Sequence, residues 1–168
     1  MARIALDAMG GDFAPRATIS GALLALGELG AGHSIQLVGR TSVIERELAT
    51  LLAGEFAAGS AHRGRLELIE APDVIAMSDK PSVAVRGKAH SSMVVGLKLQ
   101  PSGRSDAFVS AGNTGAQMAG STVILKLHEG LTRPAIATIL PTAREPIVLI
   151  DSGANVDCSA EELVQFAR

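Results

Sequence analysis

Pro146-Ile-Val-Leu-Ile150, Asp151-Ser-Gly-Ala-Asn-Val-Asp157-Cys158 and Ser159-Ala-Glu-Glu162 follow one another without a break. The apolar run reads as a strand buried on both faces. Ser159 with Glu162 three residues later is a capping box that opens a helix. Two carboxylates, an amide and a glycine therefore sit between a strand's C-terminal end and a helix N-terminus. In open α/β sheets ligands bind at such turns. Two further junctions have the same form: Asp7-Ala-Met-Gly10-Gly11-Asp12 after the first strand, and Ser110-Ala-Gly112-Asn113-Thr114-Gly115 after a later one. Three polar, glycine-containing strand exits point to one convergent site that handles an anion.

Working outward, strands and helices alternate. Strands are expected at Ile4–Asp7, Ser34–Val38, Arg65–Glu70, Ala107–Ser110, Ala135–Leu140 and Ile147–Ile150. A helix from about Pro15 to Leu29 carries Ile19, Ala22, Leu23 and Leu26 on one face, a helical period. Ser42-Val-Ile-Glu45 is a second capping box, ahead of Ile44, Leu48, Leu51 and Leu52. Gly54–Gly64 is expected to be a loop. Ser82 to about Leu99 and Thr114–Leu127 are expected to be helical, and a last helix begins near Ala160 and runs to Arg168. This alternation predicts a three-layer α/β/α sandwich with a mainly parallel sheet, in one domain spanning residues 1–168.

Composition narrows the class. With 168 residues, 47% hydrophobic and 19% charged, the chain is a globular domain of ordinary size. A net charge of −2 gives no global attraction to nucleic acid. No apolar run reaches the roughly 20 residues of a membrane span. One cysteine cannot staple the chain, so a reducing, cytoplasmic setting is expected.

The candidate chemistry lies in the turns. Gly10 and Gly11 can aim successive amides at a phosphate, and Asp12 can cap a helix or order a cation; the plain alternative is a tight turn with an N-cap. Ser110, Asn113 and Thr114 offer donors beside a helix N-terminus, where amides and dipole favour an anion, or Asn113 or Thr114 simply caps the helix. Asp151, Asn155 and Asp157 could orient a ligand, accept a proton or hold a metal, or Asp157 simply caps locally; two carboxylates alone make no hard-metal site, so no metal is expected. Lys80, Arg86 and Lys88 flank Ser82 and suit a phosphate or an acidic protein, or form a solvated helix face. No Ser-His-Asp or Cys-His arrangement is legible.

Ile4-Ala-Leu-Asp-Ala-Met-Gly-Gly-Asp12, Ser91-Ser-Met93, Val109-Ser-Ala-Gly-Asn-Thr-Gly-Ala116, Arg133-Pro-Ala135, Leu140-Pro-Thr142 and Gly153-Ala-Asn-Val-Asp-Cys158 resemble the phosphate acyltransferase family of bacterial phospholipid synthesis. The resemblance runs the length of the chain and covers about the N-terminal half of that family's length. It implies a sandwich related to isocitrate and isopropylmalate dehydrogenases and to phosphotransacetylases. It implies an enzyme that moves a fatty acyl group from acyl carrier protein to inorganic phosphate. The product, an acyl phosphate, would feed a glycerol-3-phosphate acyltransferase at the membrane. No cofactor and no nucleic acid are implied. A homodimer is, working in the cytoplasm with peripheral contact at the inner membrane face. On this reading Asn113, Asp151, Asn155 and Asp157 are the catalytic candidates. Asp7, Gly10, Gly11, Asp12, Lys80, Arg86, Lys88, Ser110, Gly112 and Thr114 are the phosphate- or substrate-binding ones, and Arg63 and Arg65 join the cations as a docking face for the acidic carrier. One position departs from the family pattern: Phe13 stands where a histidine is usual, so no proton can be carried there. Two alternatives are a related decarboxylating dehydrogenase, whose nucleotide and metal residues are not found, and a non-catalytic chain that binds the carrier or dimerises.

Overall fold

The computed structural model describes residues 1–167, so Arg168, the end of the expected last helix, lies outside the described residues. Two compact units are present, Met1–Leu125 and Lys126–Arg168. In the first unit, β1 (Arg3–Asp7), β2 (Ser34–Gly39), β3 (Leu66–Glu70) and β4 (Ala107–Val109) form one parallel sheet in the order β3-β2-β1-β4. Leu6 lies opposite Leu37 on one side and Val109 on the other, and Leu37 opposite Leu68. That register puts alternate side chains on the two faces.

Each face has its own helical layer. On one, Ile19, Leu23 and Leu26 of α1 (Arg16–Glu28) and Ile44, Leu48 and Leu51 of α2 (Thr41–Ala53) pack over Ile35, Leu37 and Leu66. On the other, Ala5 and Val38 meet Leu99 of α4 (Ser92–Leu99). Val85 of α3 (Pro81–Gly87) and Ala116 of α5 (Thr114–Ile124) join Met93 and Leu97 there. Each fully buried Leu or Ile contributes roughly 1.5–3 kcal/mol. The unit is the three-layer α/β/α sandwich that the alternation predicts.

Four local expectations are corrected. The single helix expected over Ser82–Leu99 is two: α3 ends at Gly87, and the fully buried Ser91 starts α4 afresh, its hydroxyl accepting the Val94 amide while the Ser92 amide bonds to Asp73 O at 3.1 Å. Gly54–Gly64 is not an open loop; Ala57–Arg65 is 3-10 helical. Ser42 is not a cap. Helix α2 starts at Thr41, whose amide and hydroxyl both donate to Glu70 Oε2 at the end of β3. In the second unit, β5 (Thr138–Leu140) and β6 (Ile147–Leu149) pair with each other, antiparallel. The run Ile147–Ile150, expected to be buried on both faces, is exposed. Helix α6 (Ala160–Phe166) opens on the expected Ser159–Glu162 capping box. Among the described residues no helix is long and apolar enough to cross a membrane.

Candidate functional site

Strands β1 and β4 are neighbours, and the helices that follow them, α1 and α5, lie on opposite faces of the sheet. The turns at their C-terminal ends therefore meet at a topological switch point, where ligands of open α/β sheets bind. Asp7 ends β1 with only 2% of its surface exposed. Its Oδ1 accepts the Met9 amide at 3.1 Å and its Oδ2 the Ser110 hydroxyl at 2.8 Å. Ser110 Oγ in turn accepts the Gly112 amide at 3.0 Å. Two of the three sequence-predicted turns are thus joined by a side-chain hydrogen bond.

Gly10 lies directly over that bond. A methyl group there would stand 2.6 Å from Asp7 Oδ2 and 2.9 Å from Ser110 Oγ. Gly11 has φ of +106°, which favours glycine, and faces Ala111. Asp12 and Thr114 are exposed beside this cluster in sequence, and Gly112 packs close to the Gly10 backbone.

Asn113 is the N-cap of α5 and is 7% exposed. Its Oδ1 accepts the Ala116 amide at 3.0 Å. The Thr114 and Gly115 amides have no protein acceptor among the described residues. The Asn113 amide nitrogen points the other way, to the carbonyls of Ala76, Met77 and Asp79, each at 3.2 Å. That segment is closed from within by Asp79, whose Oδ2 accepts the Ala76 amide at 2.8 Å and Lys88 Nζ at 2.5 Å. The Lys88 contact, with the Ala76 amide, holds the Asp79 carboxyl below the usual aspartate range. Lys88 also donates to Val74 O, so its charge is spent inside this segment. Lys80 and Arg86 are exposed, with no ion pair among the described residues.

Arg65 is not free either: its guanidinium donates to the carbonyls of Leu26, Leu29, Gly30 and His33. Arg63 donates to Leu66 O. The Arg65 contacts escape a sequence reading, because an arginine that caps a helix more than 30 residues away leaves no local pattern.

The third turn belongs to the second unit. Asp151 accepts the Ile136 amide at 2.7 Å and the Asn155 amide at 2.7 Å, and the Ile136 contact chiefly holds its carboxyl below the usual range. Asn155 Nδ2 donates to Pro134 O and to Asp151. Asp157 is exposed, and its backbone carbonyl accepts a long bond from Arg133. Asp151 and Asn155 thus tie their own turn to Pro134–Ile136.

A cavity of about 510 Å³ borders the first unit's turns. Its walls are almost wholly apolar, including Ile4, Leu6, Ala17, Ala25 and Val109, and it shares Gly10, Gly11 and Ala111 with the polar cluster. The Asp7–Ser110 polar cluster and an apolar wall thus adjoin across one pair of glycines.

Residues 2–168 match the family described as fatty acid synthesis protein. The chain is 48% identical to the phosphate acyltransferase of Desulforamulus reducens, over 99% of this chain and 47% of that protein. It is 48% identical to that of Pseudomonas fluorescens, over 98% and 46% respectively, and 44% identical to that of Stutzerimonas stutzeri, over 98% and 44%. The chain spans about half the length of the curated relatives it matches.

Proposed function

This chain belongs to the fatty acid synthesis protein family, and on that premise we propose that its switch-point turns bind inorganic phosphate for attack on an acyl thioester. The relatives' name, phosphate acyltransferase, gives the reaction class. The observation that carries the reading is that the unpartnered Thr114 and Gly115 amides, at the N-terminus of α5, lie at the β1–β4 switch point, in a turn that the Ser110–Asp7 bond fixes. Amides at a helix N-terminus favour an anion. A phosphate oxygen would attack the thioester carbonyl, the C–S bond would break, and the thiolate would leave and take up a proton. The thioester is already activated, so no protein nucleophile is needed. Holding the two reactants together is worth roughly 7–11 kcal/mol. The acyl donor in this reading is acylated acyl carrier protein, and a homodimer is the working form.

The reading is tested by titrating phosphate into the chain and following backbone amides by NMR. Selective shifts of Ser110–Gly115, absent when chloride is added at equal ionic strength, are expected. Turnover is read as phosphate-dependent release of free thiol from acyl carrier protein thioester, with residues 1–168 exchanged for the matching part of the Desulforamulus reducens relative. An unshifted turn together with thiol release indifferent to phosphate overturns the proposal.

A further inference from the structure

We propose that Asn113 is a positioning residue: it clamps the Ala76–Lys80 segment onto the N-terminus of α5 and so sets Lys80 beside the anion. The part concerning the anion rests on the phosphate reading above; the clamp does not. Type and position alone make Asn113 a candidate to touch substrate. Its hydrogen bonds argue otherwise. The acceptor end is used by Ala116, and the donor end serves three carbonyls, those of Ala76, Met77 and Asp79. With both N–H donors so engaged and so deeply buried, the amide has no donor left to offer an anion.

Of those three carbonyls only that of Ala76 has a second partner among the described residues, the Asp79 amide at 3.1 Å. Ala76 and Met77 are exposed, and the segment has no strand or helix of its own. What shapes it is Asn113 on one side and the Asp79–Lys88 pair on the other. Where the segment ends, Lys80 is the N-cap of α3, and Pro81 packs so tightly on Gly115 that a methyl there would lie 2.7 Å from its Cγ. Lys80 is thereby placed at the first turn of α5, and it is the cation of this segment that no carboxylate neutralises among the described residues. Asn113 therefore acts through the segment rather than on the substrate.

Asn113→Ser separates the two roles. Serine caps a helix about as well as asparagine, but it cannot reach the three carbonyls. Amide hydrogen exchange at Ala76 and Asp79, the amides of residues 76–80 that have protein acceptors among the described residues, is expected to rise about tenfold or more once the segment loses its clamp, while exchange in α5 stays as in the wild type. Phosphate binding should weaken about tenfold, Lys80→Ala should weaken it similarly, and the double variant should be little worse than either single one, because both remove the same contact. Weakened phosphate binding with unchanged exchange at 76–80 would show that Asn113 touches the anion directly and overturns the proposal. So does a loosened segment with full phosphate affinity, or full additivity with Lys80→Ala. Absence of phosphate binding in the wild-type chain would sink the anion reading, and exchange at 76–80 would still judge the clamp.

Discussion

Gly10 is the residue on which the polar cluster turns. Its missing side chain lets the first turn close over the Asp7–Ser110 hydrogen bond, with no room for a methyl group. Gly10→Ala is expected to cost about 1–3 kcal/mol, the usual penalty of overpacking, and to separate Asp7 from Ser110. Gly21, midway along α1, has open space where a methyl would go; Gly21→Ala is expected to stabilise by about 0.5–1 kcal/mol. Urea denaturation of both variants checks the pair of signs. A Gly10→Ala chain as stable as the wild type would mean that the two turns are not in contact. Both glycines are conspicuous in the sequence, yet only the distances around them tell a crowded position from an empty one.

At the scale of elements, helix ends are completed from far along the chain. Helix α1 has no basic residue in its last turn. Arg65, just before β3, supplies the charge and four donors to carbonyls at and beyond that terminus. Cations at a helix C-terminus are favourable, and charged hydrogen bonds are the stronger kind. Arg65→Met is therefore expected to destabilise the first unit by about 1–3 kcal/mol, with faster amide exchange at the end of α1, and Arg65→Lys should recover only part of it. Unchanged stability of the Met variant would reduce this contact to surface decoration. Glu70 does for the start of α2 what Arg65 does for the end of α1, which is why the local Ser42–Glu45 signal lost to a carboxylate on the neighbouring strand. Only the capping box of α6, with no such competitor, formed where its pattern lies.

At the scale of the whole molecule, exposed apolar side chains occur in both units, and the second unit's ladder carries a paired run of them, with Ile139 at 72% opposite Val148 at 62%. Contiguous apolar surface of this kind marks interaction or self-association. The chain is expected to associate as its concentration rises in sedimentation velocity, and Val148→Lys is expected to shift it toward monomer; a monomer at all concentrations would overturn this. The sequence by itself determined the alternation of elements, the parallel sheet of the first unit, the cap of α6 and the turns that carry polar residues. Those features are written in short-range patterns: apolar periodicity, caps and glycines. Tertiary structure alone decided which turns meet. Asp7 and Ser110 are neighbours because β1 and β4 pair in the sheet across about a hundred residues of chain. It also decided that Asn113 faces the Ala76–Asp79 carbonyls and that Lys88 and Arg65 spend their charges inward. A side chain's partners depend on which elements pack side by side, and no local pattern records that.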